Sequence, residues 1–97
     1  MDVRKTIDLG NGHCIEIGTA TWDDGEKQTS IRNRYPTAKG GFSPRSSSEI
    51  PRYDIKHITI AAADDNLLKI IEITEMIAAL SDALSRKIRE AGHWAKN

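Results

Sequence analysis

The stretch HCIEIGTATWDDGEKQTSIRNRY, residues 13–35, decides the fold, because only one way of doubling it back keeps its charges off its isoleucines. A two-residue turn at Asp24-Gly25 would set Ile17 against Arg32 and Ile15 against Arg34. A three-residue turn, Asp23-Asp24-Gly25 with the glycine in the left-handed position, sets Ile17 against Ile31 and Glu16 against Arg32. The second register separates an apolar face from a charged one, so the spacing predicts a hairpin in that register. The same logic upstream, with Gly10-Asn11-Gly12 as a three-residue turn, pairs Ile7 with Ile15 and Leu9 with His13. Strands are therefore expected near 3–9, 13–22 and 26–35 in an antiparallel meander.

Side chains alternate along a strand, which sorts these residues into two sets. Val3, Ile7, Leu9, Ile15, Ile17, Thr19 and Ile31 form the expected core face, with Lys5 marking an edge strand. Arg4, Thr6, Asp8, Cys14, Glu16, Ala20, Trp22, Gln28, Ser30, Arg32 and Arg34 form the expected outward face. A one-sided sheet needs a cover, and the C-terminal sequence supplies a candidate. Ile70, Ile73, Ile77, Leu80, Leu84, Ile88 and Ala91 recur at spacings of three and four, the mark of an amphipathic helix over 66–91. Asp64, Asp65 and Asn66 are expected to open it, and Gly92 to end it. At 1.5 Å per residue that helix runs to about 39 Å, more than three strands cover. The excess predicts a homodimer through the C-terminal helix.

Between sheet and helix, Pro51 and the spacing of Ile55, Ile58 and Ala62 predict a short helix at 51–63, although Ile58-Thr59-Ile60 also alternates like a strand. A fourth short strand is expected around Gly41-Arg45. The expected architecture is α+β: a three- or four-stranded antiparallel meander packed against a long C-terminal helix, in a single domain over 1–97.

Charge adds the first functional clue. The 97 residues carry 14 basic and 14 acidic side chains. Residues 32–57 nevertheless hold Arg32, Arg34, Lys39, Arg45, Arg52 and Lys56 against only Glu49 and Asp54. A neutral chain with a basic middle argues against bulk electrostatic binding of nucleic acid and permits a local anion site. Arg32 and Arg34 point the same way on one strand, Trp22 falls on that face, and an indole offers a base a stacking surface. The competing reading is that Glu16 neutralises Arg32 and that Trp22 caps an apolar edge. Lys39-Gly40-Gly41, with Arg45 and Ser46-Ser47-Ser48, could present backbone N–H groups and hydroxyls to an anion. It lacks the Gly-Lys-Ser/Thr ending of a P-loop, and Ser46 with Glu49 also fits a helix-capping pair.

Catalytic and metal chemistry find little support. His13 and Cys14 are neighbours on a strand and so point to opposite faces. His57 and His93 lack partner spacing, and Asp23-Asp24 and Asp64-Asp65 stand where a turn and a helix start favour aspartate. No cofactor, metal or catalytic residue is expected. The longest apolar runs are three residues, MDVRKTIDLG lacks the apolar segment of a signal peptide, and a lone Cys14 fits a reducing cytoplasm.

The order of three strands, the last carrying the basic SIRNRY (30–35), then the glycine-containing basic segment KGGFSPRSSSEI (39–50) and an amphipathic helix resembles the single-strand-binding transcriptional coactivators of the positive-cofactor type, over roughly residues 13–90. The resemblance implies single-stranded nucleic acid contacted by Arg32, Arg34, Lys39 and Trp22, and a helix that dimerises. Pro44 in the expected short strand, the additional residues 51–65 and the neutral charge depart from that pattern. In length and composition the chain is also similar to small phage-encoded proteins that bind host proteins. Two partners thus stand as expectations. One is single-stranded nucleic acid bound by Trp22, Arg32, Arg34, Lys39, Arg45 and Arg52. The other is an acidic protein surface, met by the chain as a protein-binding module or as an inhibitor of a nucleic-acid-processing complex.

Overall fold

A computed structural model of the chain describes residues 1–22 and 28–95, the last three as backbone only. It divides into two compact units, Met1–Thr59 and Ile60–Asn97. The elements are α+β: a four-stranded antiparallel sheet, a short helix and a long C-terminal helix.

In the first unit β1 (Asp2–Gly10), β2 (His13–Thr19), β3 (Thr29–Arg34) and β4 (Ser48–Pro51) lie in sequence order as a meander. The register follows the separation of charge from isoleucine: Ile17 pairs with Ile31, Glu16 with Arg32 and Ile7 with Ile15. The Asp23-Asp24-Gly25 turn itself lies outside the described residues. The first hairpin reaches its register by another route. Its turn is the two residues Asn11 and Gly12, with φ of 56° and 80°, the left-handed pair that a twisted hairpin favours. A ladder irregularity between Asp8 and Gly10 absorbs the odd residue, so Gly10 rather than Leu9 pairs with His13. Asp8 Oδ1 accepts the Gly10 N–H at 2.8 Å and holds that bulge.

A second irregularity, between Val3 and Lys5, pairs Val3 with Gly18 and shifts Val3 onto the Glu16 face. There the backbone of β1 closes on Gly18. A Cβ at Gly18 would sit 2.9 Å from Val3 Cα and closer still to the Asp2 carbonyl oxygen. Only glycine leaves room for that approach.

The residues buried outright lie on the face expected to point outward. Ala20 and Glu16 are 5% and 4% exposed and Ser30 is fully buried, whereas Ile15, Ile17 and Ile31 are half-buried and Ile7 and Leu9, on β1, remain 37% and 53% exposed. Polar pairing draws that face together: Glu16 binds Arg32 and Arg34, Glu49 takes the Ser30 hydroxyl, and Phe42 lies over the two arginines.

The fourth strand is not at Gly41-Arg45, where Pro44 cannot donate to a ladder. Instead Pro36 and Phe42 form a single bridge in a small turn, and β4 follows at Ser48–Pro51 with Ile50 opposite Ile31 and Glu49 opposite Arg32. Pro51 then adopts φ −60° and ψ 142° and leads into one 3-10 turn, Arg52–Asp54, and helix α1, Ile55–Asp64. This is the short helix expected at 51–63.

Asp64, Asp65 and Asn66 finish α1 rather than open the long helix. Asn66 takes the left-handed conformation at φ 59°. Its N–H donates to Ala63 O at 3.1 Å and the Leu67 N–H to Ala62 O at 3.0 Å, the paired bonds of a Schellman stop. Helix α2 runs from Ile70 to Ala95. Its start is closed by the Glu72 carboxylate, which accepts the Lys69 N–H at 2.8 Å, half of a capping box. Gly92 lies inside the helix rather than at its end.

Candidate functional site

Two surfaces hold the residues with functional potential. The first is the charged face of the sheet. Because Glu16 is opposite Arg32 and two residues from Arg34's register partner Cys14, both guanidinium groups reach one carboxylate. Arg32 Nε donates to Glu16 Oε1 at 2.8 Å and Arg32 Nη2 approaches it at 2.6 Å, while Arg34 Nη1 donates to Oε2 at 3.1 Å. Phe42, carried across by the turn at Pro36–Phe42, lies 4.7 Å from Arg32 Cζ and 5.0 Å from Arg34 Cζ, within cation–π range. The Arg32 side chain is 16% exposed and that of Arg34 37%. Burial pushes the Glu16 carboxyl up, and hydrogen bonds and charge from the two arginines outweigh it, leaving the pKa below its ordinary value.

Glu49 anchors the neighbouring corner. Its Oε1 accepts the Thr21 N–H and the Ser30 hydroxyl, each at 2.8 Å, and its Oε2 accepts the Thr21 hydroxyl at 2.7 Å. The N-terminal ammonium also donates to Thr21 Oγ1 at 2.9 Å. Burial raises the Glu49 pKa, and these donors with the nearby ammonium lower it further than burial raises it. Ser46 and Glu49 therefore do not cap a helix: Ser46 lies in a turn and Glu49 in β4.

The glycine loop is closed on itself. Gly40 N–H donates to Thr37 O and Gly41 N–H to Thr37 Oγ1, and the Ser47 hydroxyl accepts the Tyr35 N–H at 3.0 Å. Two backbone donors that would form an anion nest are thus already engaged, and the Ser47 hydroxyl is held as an acceptor. Lys39 stands exposed at the tip of this turn and Arg45 is exposed in the next one. Trp22 follows the end of β2, 43% exposed, with its indole N–H on Gln28 Oε1 at 3.1 Å. Arg52 and Tyr53 line a shallow cleft of about 270 Å³ with Gln28 and Thr29. The structure thus brings Arg32 and Arg34 together with Phe42 and leaves Lys39, Arg45, Arg52 and Trp22 at other points of the unit.

Sequence reasoning missed Phe42 as the lid on the arginines and missed the stacking of His13 on Tyr35. Those rings are 4.2 Å apart and nearly parallel, with a His13–Asn33 hydrogen bond beside them. The spacing of His13 and Tyr35 around the Ile15–Asn33 pair was the available signal for the stack. Among the described residues no group of histidine, cysteine and carboxylate side chains could hold a metal ion, and no helix is long and apolar enough to cross a membrane.

The second surface is α2. Its stripe is open to solvent along its length: Ile70 is 86% exposed, Ile77 62%, Leu80 62%, Leu84 60% and Ile88 61%, with Ile73 the most covered at 40%. One face of a 26-residue helix therefore presents six large aliphatic side chains in a continuous row. Compared with protein-family models, curated proteins and solved structures, the chain matches none.

Proposed function

We propose that the chain is a non-enzymatic protein-binding module and that the apolar stripe of α2 is its docking surface, taking an amphipathic helix as partner. The observation that carries this reading is the exposure of Ile70, Ile77, Leu80, Leu84 and Ile88, each at 60% or more. Water-exposed rows of aliphatic side chains are rare unless a partner covers them, and a helix laid in register is the usual cover. The state of the arginines supports the same preference. A phosphate approaching Arg32 must compete with Glu16, which already takes its Nε and Nη2. The test compares the full chain with Ile77→Glu/Leu84→Glu, both checked for helix content by circular dichroism. Proteins retained by the wild type and lost by the folded variant, itself included, support the reading; identical retention by both refutes it.

A second reading, single-stranded nucleic acid, has one specific observation in its favour. Arg34, Phe42 and Tyr35 are each more than a third exposed around the end of β3, a combination of cation and aromatic faces suited to an unstacked base. A fluorescence-anisotropy titration of a labelled single-stranded oligonucleotide at two salt concentrations tests it. Binding that weakens with salt and with Arg34→Ala/Phe42→Ala supports it, and no binding at low salt removes it.

A further inference from the structure

We infer that the partner of the α2 stripe is α2 of a second copy of this chain, packed antiparallel, with the twofold axis passing near Ala78 and Ala79. The inference rests on the docking reading above and adds the occupant and its direction.

The direction follows from the charge order along the helix. Residues 70–82 carry Glu72, Glu75 and Asp82 with no base, and residues 83–92 carry Arg86, Lys87 and Arg89 with Glu90. Two such helices side by side in the same direction bring the two acidic halves level with each other and likewise the two basic halves. Reversing one sets the acidic half of each along the basic half of the other and opposes the two helix dipoles.

The register follows from the heptad positions. With Ile70 at the first core position, Ile77 and Leu84 share it, and Ile73, Leu80 and Lys87 take the second. Parallel pairing stacks residues of equal number, so Lys87 would meet Lys87 of the second copy inside the seam. Antiparallel pairing joins first to second positions. Ile77 then meets Leu80 of the second copy and Ile73 meets its Leu84. Lys87 meets Ile70 at the open end of the seam, where its ammonium reaches water past the aliphatic chain. The pattern's step of four after Leu84 brings Ile88 round to the same end and relaxes the supercoil there.

The flanks agree with the core. In this register Lys69 lies beside Glu90 of the second copy, twice by symmetry, and Met76 lies beside its Ala83. Thr74 lies beside Ser81. The seam is bordered by one pair of opposite charges at each end and by small or neutral side chains between.

The experiment uses the full chain in a Cys14→Ser background, with Lys69→Cys and Glu90→Cys variants carrying different tags. The mixture is treated with a short bismaleimide, and mass is followed by light scattering. The expected result is a dimer in which 69 links to 90, with neither 69–69 nor 90–90 links, since equal positions lie roughly 32 Å apart along an antiparallel pair. Charge reversal provides a readout that leaves the stripe untouched. Lys69→Glu and Glu90→Lys should each weaken self-association about threefold or more, and the double reversal should restore it. A 69–69 link overturns the antiparallel direction while leaving the docking reading intact. A monomer at all concentrations, with no link of either kind, overturns the second copy as occupant. The docking reading is then decided separately by the protein-retention comparison.

Discussion

Replacing Glu16 by glutamine is the most informative perturbation of the first unit, because one carboxylate there serves two cations. Glu16 is 4% exposed and Arg32's side chain 16%, so this pair is largely out of water, whereas Arg34 at 37% is screened. Removing one partner of a buried pair leaves the other charge uncompensated, at a cost of about 3–5 kcal/mol. The amide oxygen of the introduced glutamine retains one acceptor, and Phe42 continues to face the guanidinium, so the low end of that range, about 3 kcal/mol, is expected. The Arg34 contribution adds less than about 1 kcal/mol. With a urea slope of about 1 kcal/mol/M for so small a unit, the midpoint should fall by about 2–3 M, or the sheet should unfold in buffer. A double-mutant cycle separates the pair from simple packing. Glu16→Leu/Arg32→Met should recover most of the loss, because an apolar pair of similar volume needs no compensating charge. A loss from Glu16→Gln below about 0.5 kcal/mol, the size of an ordinary surface substitution, would refute the reasoning that Glu16 and Arg32 act as a buried pair.

Acid should destabilise the sheet through the same groups. Glu16 and Glu49 are both held below the ordinary value of 4.5, so the unfolded state binds more protons in that window. Their stabilisation is complete above pH 4.5 and is lost as pH falls through the folded values. Glu16→Gln should flatten this dependence, measured as urea midpoints between neutral and strongly acidic pH. Gly18→Ala should cost about 1–3 kcal/mol by forcing the Asp2–Val3 backbone away, and hydrogen exchange should then rise first in β1. Asn66→Gly should be neutral or slightly stabilising to α1, while Asn66→Val should destabilise it by about 1–2 kcal/mol at φ 59°, read from thermal unfolding by circular dichroism.

The proposed dimer also accounts for a feature of the sequence that the fold of one chain does not use. Lys87 interrupts the aliphatic row at a position where leucine or isoleucine would continue it. In a seam between two copies a lone polar residue of this kind costs stability and selects one direction of pairing. Lys87→Leu should therefore strengthen self-association while admitting parallel pairs, detectable as 69–69 links that the parent chain lacks.

The sequence by itself determined the first three strands, the pairing of Ile17 with Ile31 and of Ile7 with Ile15, and the presence of a short and a long helix. Setting Ile17 against Ile31 required only that apolar side chains avoid charges, and a long row at three-and-four spacing is satisfied by a helix and not by a strand. These are local or nearest-strand properties, and the alternation of residue types encodes them. Tertiary structure decided which face of the sheet is buried. Pattern assigns burial to isoleucine, but the opposite face is gathered by Glu16 on Arg32 and Arg34 and by Glu49 on Ser30 and Thr21, partners that alternation along one strand does not encode. It also decided the state of the arginines. The sequence left open whether Glu16 or a phosphate takes Arg32, and the outcome depends on side-chain reach across the ladder, which brings Arg34 to the same carboxylate, and on Phe42 arriving from a distant turn. Helix ends were decided in the same way. Asp64-Asp65-Asn66 serves equally well to start a helix or to stop one, and the left-handed turn at Asn66, with its two bonds back to Ala62 and Ala63, made it a stop.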